Sequence, residues 1–522
     1  MSVQRDCEKS SQEQRIRYVC AAAEYALESP RENPTADQAI RGVMHSEERV
    51  VEEKRLVQKL DFRFASTITL LYIMDYIVRN SISTARLNGL EHDLGLSDTQ
   101  YDTAVASLFI LYISTQVPSN MILNRVSRPS LYIGVCAIAW GVICALIGIA
   151  NNYGGILICR ILLGLPEAAF FPGAIYLLSR WYTRKELALR TSFALAGVIC
   201  SNAFGSLIAA GILSNMEGKR GIRGWRWVFI IEGAITVTIG ILSLWTLPDL
   251  PTNTRWMSYA EKHLAQVRLA EDAGEADEDL TEDSMWSGLK MAIKDVKVFV
   301  FSLILLCDYL GLAFTNFFPS LTETLGFDDT ITLLVSAPPW IFAAIICCLN
   351  GFHADKTGER FFHVCNMMWG TILGLIIGVS TLSTGGRYFS LFLLATGHGS
   401  LPLILAWASN SIPRPPAKRA AAIGIIGGIG NAGNLVGSFV WKASWAPEYH
   451  QSMIISIVAL TFSSVLAFLM RCKLKQSNKK LDEVEVDALK GVNRERVEDA
   501  ARLEGITLDE ALERRKGIRY LY

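Results

Sequence analysis

The chain has 522 residues, 51% hydrophobic and 19% charged, with a mean hydropathy of +0.29 and no formal net charge. Apolar residues gathered in long blocks exclude an ordinary string of water-soluble domains, which would be left with large exposed apolar patches. Zero net charge excludes an overall basic field for nucleic acid. The 11 cysteines lie mostly within apolar stretches. They show neither metal-ligand spacing nor a disulfide framework, so they read as packing residues.

In chain order, residues 1–60 are polar and lack the basic-then-apolar order of a signal peptide. They read as a cytosolic tail whose end, "EEKRLVQKLDFR", forms a short amphipathic helix at the membrane surface. Segments of the ~20 apolar residues needed to cross the hydrocarbon core follow. They fall at 62–83, 101–122, 131–150, 155–178, 191–213 and 227–247, giving a first bundle over 61–247. Residues 248–298 hold the acidic stretch "LAEDAGEADEDLTEDS" and read as a solvated cytosolic loop. A second set at 299–319, 331–352, 362–382, 388–411, 421–441 and 451–470 gives a second bundle over 299–470. A charged cytosolic tail, 471–522, completes the chain.

The expectation is an all-α membrane protein with twelve transmembrane helices in two pseudo-symmetric six-helix bundles. Helices are required because a lipid-facing backbone must satisfy its own hydrogen bonds. The cations of "NRVSR", "SRWYTRKE", "ADKTGER", "PRPPAKR" and "RCKLKQSNKK" fall in connections of one parity, which places both termini in the cytosol. Paired halves of this kind suggest an alternating-access carrier with its site at the midplane.

Ionisable groups at bilayer depth each cost about 2.5–3.5 kcal/mol on insertion scales, so they face a partner or a watery cavity. "RILLGLPEAAFFPG" holds Arg160 and Glu167 seven positions apart. At ~100° per residue they share a face, roughly 10 Å apart along the axis, too far for a direct pair. Arg160 offers a planar fork for a carboxylate, and Glu167 lies deep enough to trade a proton. Pro166 bends the helix between them. Alternatively, each charge pins a neighbouring helix.

In "DYIVRNSISTARLNGL", Asp75 and Arg79 have the acid-before-base spacing of an intrahelical pair. Arg79 either serves the passage or snorkels to the interface. Asp308 and His398 stand alone among apolar neighbours, as cavity groups or as satisfied core groups. Glu232 in "GWRWVFIIEG" is accounted for by a cation such as Arg226, and "GWRW" reads as an interfacial anchor. "GIIGGIGNAGNLVG", which includes Asn434, makes a span of small cross-section suited to close helix approach.

These motifs carry a family resemblance. "GFHADKTGER" resembles the G-x-x-x-D-x-x-G-x-R loop of the major facilitator superfamily. "RNSISTARLNGLEHDLGLSDTQYDTAV", "VPSNMIL", "RILLGLPEAAFFPGAIYLLSRWYTRKELALR", "LLVSAPPW" and "GNAGNLVG" resemble its anion:cation symporter family, in the fungal branch of allantoate, nicotinate, pantothenate and biotin permeases. The resemblance implies that Arg160 and Arg79 match the arginines that face the substrate. It implies that Glu167 matches the acid of proton coupling, with Asp75 standing one turn from the usual first-helix acid, which is Val78 here. Gly351, Asp355, Gly358 and Arg360 would form a cytosolic gate, with Arg125 in the first half. There Asn124 and Ser127 replace the superfamily's aspartate and glycine.

The reading is therefore proton-coupled uptake of a small organic anion, such as nicotinate or an allantoate-like acid, by alternating access. The binding residues are Arg79 and Arg160, the proton carriers Glu167 and Asp75, and the secondary cavity candidates His398, Asp308 and Asn434. The expectation is a plasma-membrane monomer in the lipid bilayer, with no nucleic-acid partner, no metal and no cofactor beyond the proton gradient. No nucleophile–base–orienter cluster suggests an enzyme. A proton antiporter for a toxic metabolite and a transporter-like nutrient receptor are the alternatives.

Overall fold

A computed structural model of the chain describes residues 46–123, 126–274, 285–412 and 416–489. Residues 1–45 and 490–522 of the two tails, Arg125, and residues 275–284 of the acidic stretch lie outside the described residues, while the described parts of both tails and of the linking loop are largely helical.

Helix α1 (Ser46–Leu60) passes through a π-helical turn, Asp61–Ala65, into α2 (Ser66–Leu87) with no break. Leu56, Leu60 and Phe64 turn one buried face of this segment inward. A short α3 (Leu90–Leu94) leads to α4 (Asp98–Leu123), and α5 (Pro129–Ile147) opens on a proline, whose missing N–H would have had no helical partner. α6 (Tyr153–Ser179) is capped by Asn152, whose Oδ1 accepts from Gly155 N at 2.8 Å. α7 (Arg184–Met216) begins in a Thr183–Glu186 capping box, and α8 (Gly224–Thr246) closes the first half. The linking region contributes α9 (Tyr259–Gly274) and α10 (Met285–Ile293).

The second half starts with α11 (Val296–Gly311), which breaks into a 3₁₀ turn, Ala313–Phe317, and the short α12 (Phe318–Glu323). α13 (Asp329–Thr357) ends on Gly358 at φ +68°, a left-handed cap that favours glycine. α14 (Phe361–Ser380) follows, and α15 (Thr384–Thr396) and α16 (Ser400–Ser411) are joined by a 3₁₀ turn at Gly397–Gly399. α17 (Pro416–Gly437) and α18 (His450–Leu489) complete the described chain.

Packing repeats between the halves. In the first, α5 packs on α8, α4 on α6, α2 on α7 and α8, and α5 on α6. In the second, the equivalent pairs are α14–α18, α13–α15, α11–α17, α11–α18 and α14–α15. The halves meet through another matched exchange, α7 on α13 and α4 on α17. Gly164 of α6 allows a close crossing, since an added Cβ would meet the Leu108 carbonyl and Tyr112 N of α4. Gly433 of α17 does the same against Leu306 and Tyr309 of α11.

Among the described residues, nine helices are long and apolar enough to cross a membrane. Twelve spans were expected; α2, α4 and α17 make the difference. α2 carries Asp75, Arg79 and Arg86, α4 carries Pro118 with a polar run, and the apolar part of α17, Ala421–Gly437, is short and glycine-rich. All three helices supply polar or small side chains near the junction of the halves, which lowers their hydropathy.

One end of the assembly, here the tail end, carries the start of α2 and the close of α18. Its first half is fastened by Arg190–Asp61 at 2.7 Å, Arg268–Glu186 at 3.0 Å and Lys59–Glu261 at 2.7 Å, with Tyr182 Oη donating to Asp61 at 2.9 Å. At the opposite, far end, the two tryptophans of "GWRW" differ: Trp225 is fully buried, and its indole N–H donates to Asp93 at 2.8 Å, whereas Trp227 is part-exposed.

Candidate functional site

α2, α4 and α6 converge on Arg79. It sits in the interior of α2, two turns before Leu87, and its guanidinium is turned inward between helices. It is 7% exposed, with Asp75 at 4% and Glu167 at 1%. Arg79 Nη2 lies 3.2 Å from Asp75 Oδ2 and 3.0 Å from Glu167 Oε2, and its Nε donates to the same Glu167 oxygen at 3.2 Å. The guanidinium also stacks over two tyrosine rings, Tyr112 of α4 at 4.7 Å and Tyr76 of α2 at 4.9 Å. Tyr309, from α11 in the other half, is an electrostatic neighbour of Tyr76, Tyr112 and Arg79. Among the described residues, Asp75 Oδ1 and Glu167 Oε1 have no hydrogen-bond partner, and both are buried. The node thus holds one cation, two carboxyls and two unused acceptors, walled by aromatic rings.

The acid–base spacing in α2 anticipated the Asp75–Arg79 pair. The link to Glu167 and the tyrosines were missed; Tyr76, one turn before Arg79, was the available signal. Arg160 was expected on a cavity wall, but the structure places it between helices. It is 1% exposed, donates from Nη1 to the Arg79 carbonyl at 3.1 Å and from Nε to the Ala104 carbonyl at 3.4 Å. It therefore ties α6 to the backbones of α2 and α4. Glu232 is not paired with Arg226, which donates to the Gly148 and Ala150 carbonyls at 3.1 and 2.8 Å. Its partner is the Ser81 hydroxyl of α2.

The second half keeps its polar groups to itself. Asp308 accepts from Ser400 Oγ at 2.7 Å, and its other oxygen is buried with no partner among the described residues. His398, in the break between α15 and α16, has Nε2 3.0 Å from Thr315 Oγ1 and lies between the rings of Trp340 and Phe314. Asn434 donates to Asn431 at 3.3 Å, a contact within α17. None of these three joins the Arg79 node.

The gate motif closes α13 and opens α14. Gly351 lies in the last turns of α13 with open space where a Cβ would stand, Gly358 is the left-handed cap, and Arg360 is buried at the N-cap of α14. Asp355 lies on α13; its side chain is outside the description. At the far end the halves are joined. The Ser83 hydroxyl donates to the Asn316 carbonyl, Tyr101 meets the edge of Phe317 at 6.3 Å, and Leu333 of α13 packs with Ile212, Leu213 and Val228. Arg86 stacks over Tyr101 at 4.2 Å and pairs with Glu91 at 2.9 Å beside this seal. Among the described residues no group of His, Cys, Asp or Glu is placed to hold a metal.

Comparison with known proteins follows the same lines. The family described as "Major Facilitator Superfamily" matches residues 68–438. The MFS-type transporter cnsO of Penicillium expansum is 32% identical over 455 residues, covering 83% of this chain and 86% of that protein. The major facilitator-type transporter hxnP of Emericella nidulans is 28% identical, covering 83% of this chain and 88% of that protein. An Agrobacterium vitis protein named as a candidate tartrate transporter is 31% identical, covering 80% of this chain and 92% of that protein. Among solved structures, an inward-facing, unoccupied bacterial homologue of the human lysosomal transporter Spinster aligns with a TM-score of 0.62. Its identity is 17%, and the match covers 78% of this chain and 95% of that chain, a likeness of fold.

Proposed function

The chain belongs to the major facilitator superfamily, and from that premise we propose that this multi-pass membrane transporter carries a small organic anion together with a proton. It works by alternating access, with twelve spans, a monomeric unit and both termini in the cytosol of a plasma membrane. The single observation behind this reading is the charge count at Arg79. One guanidinium faces two carboxyls, all at least nine-tenths buried. A buried ion without a partner is costly, so the node is balanced when one carboxyl is ionised and the other holds a proton.

An arriving substrate carboxylate competes for the same guanidinium fork, whose two parallel donors suit a carboxylate. As it takes the Nε and Nη2 donors from Glu167, the proton already on Glu167 keeps that carboxyl neutral without its counter-charge. The substrate is then held only while Glu167 keeps its proton, which couples the two. Asp75 stays on Arg79 as the permanent counter-ion, and Tyr76 and Tyr112 exclude water from the pair. Arg160 enters as a positioning residue: its bonds to the Arg79 and Ala104 carbonyls set where α2 and α4 stand relative to Glu167. With the far end sealed and assigned to the outside, the conformation described belongs to the inward-directed half of the cycle.

Uptake of labelled small organic acids in permease-deficient cells, at two external pH values, tests the reading. External acid should stimulate accumulation. Expulsion stimulated by external acid would replace the symporter with the antiporter.

A further inference from the structure

Glu232 takes no part in the Arg79 node, yet it is 1% exposed and carries an ionisable group into the centre of the first half. Among the described residues no cation is paired with it. The nearest cation in sequence, Arg226, is held by main-chain carbonyls. Of the elements packed against α8, α5 brings Cys144 into electrostatic contact with it, α2 brings Ser81, and α7 brings the neutral Asn202 and Ser206.

The hydrogen bonds accommodate a protonated carboxyl. Ser81 Oγ lies 2.8 Å from the Ile77 carbonyl, the usual bond of a helical serine to the preceding turn, and is also in contact with Glu232 Oε2. A hydroxyl has one hydrogen to give. With that hydrogen on the Ile77 carbonyl, the contact to Glu232 is a hydrogen bond only if the carboxyl supplies the proton.

The location decides what this proton can do. Glu232 and Ser81 line a polar cavity of about 30 Å³, room for about two waters at ~10–15 Å³ each. Asn80 and Asn202 line it from the first half, Thr315 and Trp340 from the second. Its walls therefore belong to both bundles, and it opens when they part. Asp308 makes a useful contrast. Its Ser400 partner likewise faces a second acceptor, the Gly397 carbonyl, but both belong to the second half and the remaining Asp308 oxygen is sealed.

We propose that Glu232 is a second proton-binding site of the transport cycle, loaded while the far end is closed and open to exchange with water when the halves separate. The inference rests on the alternating-access reading but not on the chemistry assigned to Glu167.

Infrared spectroscopy of the purified full chain in lipid nanodiscs at pH 7 tests it without knowledge of the substrate. The C=O absorption of a protonated carboxylic acid should lose one carboxyl's intensity in Glu232→Gln. In Ser81→Ala the band should persist but move to higher frequency, because the acid loses its hydrogen-bond acceptor; a merely structural role would not produce that shift. On transfer to heavy water the Glu232 band should exchange at least tenfold more slowly when Ser83→Cys and Asn316→Cys are cross-linked than when they are reduced. A Glu232→Gln spectrum identical to wild type in this region would overturn the proposal, as would equal exchange in the cross-linked and reduced proteins. If Glu167→Gln alone removes intensity, the second site is gone and the symport reading stands. If Glu232→Gln alone removes it, the second site stands and the proton assigned to Glu167 is in question.

Discussion

Replacing Arg79 with lysine keeps the charge and removes the fork. In the structure the guanidinium makes two contacts to Glu167, at 3.0 and 3.2 Å, and one to Asp75 at 3.2 Å, while stacking on Tyr76 and Tyr112. An ammonium can keep Asp75 as its neighbour but cannot present two parallel donors to an incoming carboxylate or stack flat between two rings. The loss is at least one charge-assisted hydrogen bond, ~1.5–3 kcal/mol. Since ~1.4 kcal/mol is a factor of ten, KM for the transported acid should rise roughly 10- to 150-fold. Because Asp75 still balances the lysine, the protein should remain folded and correctly inserted, which a thermal unfolding scan of the purified variant can establish. The assay is concentration-dependent uptake of labelled acids, tartrate and nicotinate among them, by Arg79→Lys and wild-type vesicles. Uptake by the variant with an unchanged KM would refute the assignment of Arg79 as the carboxylate anchor.

Arg160→Met should act on stability as well as transport. It leaves the Arg79 and Ala104 carbonyls without their charged donor, about 1.5–3 kcal/mol each if neither finds water, and should lower the unfolding midpoint measured in detergent more than Arg79→Lys does. Gly164→Ala should impair uptake without touching any charge, because its Cβ would push α4 from α6 and carry Tyr112 away from Arg79; normal uptake kinetics in that variant would count against the crossing as the source of site geometry. At the far end, burial raises the Asp93 carboxyl, but the hydrogen bond from Trp225 and the charge of Arg223 outweigh it and hold it below its ordinary range. A depressed carboxyl contributes stability above its unfolded value, near ~3.9, and loses it as pH falls through the folded value. The difference in stability between wild type and Asp93→Asn should therefore be present at neutral pH and shrink below about pH 4. Lys59→Ala, which removes a half-exposed pair with Glu261, should change stability by no more than ~1 kcal/mol and less at high salt.

Much of the architecture was legible because hydrocarbon imposes length and composition on whatever crosses it. The three helices that fall short in hydropathy, α2, α4 and α17, are those that carry polar or small residues near the junction of the halves. Within the site, the sequence could specify only what one helix determines: Asp75 and Arg79 are one turn apart, and Arg160 and Glu167 share a face. It could not say which way a guanidinium turns. Arg160 found two main-chain carbonyls, which no side-chain pattern announces, and Arg79 found Glu167 across 88 residues. Arg79 resembled a snorkelling residue only while the first span was taken to end at 83; α2 runs to Leu87, which puts the arginine in the helix interior. Glu232 was matched to the nearest cation in sequence, whereas its partner is an uncharged serine on another helix. Hydroxyl partners are hard to foresee because serine satisfies itself on its own helix and gives no compositional signal.

The most direct test measures the proton itself. Purified protein in sealed vesicles with an internal pH indicator should carry protons inward when a transported acid is added outside, in proportion to the labelled acid that enters. Glu167→Gln should keep exchange of labelled for unlabelled acid while losing both the proton flux and any accumulation in response to a pH gradient. An acid that enters with no proton movement, or a Glu167→Gln protein that still concentrates its substrate in response to a pH gradient, would contradict the account.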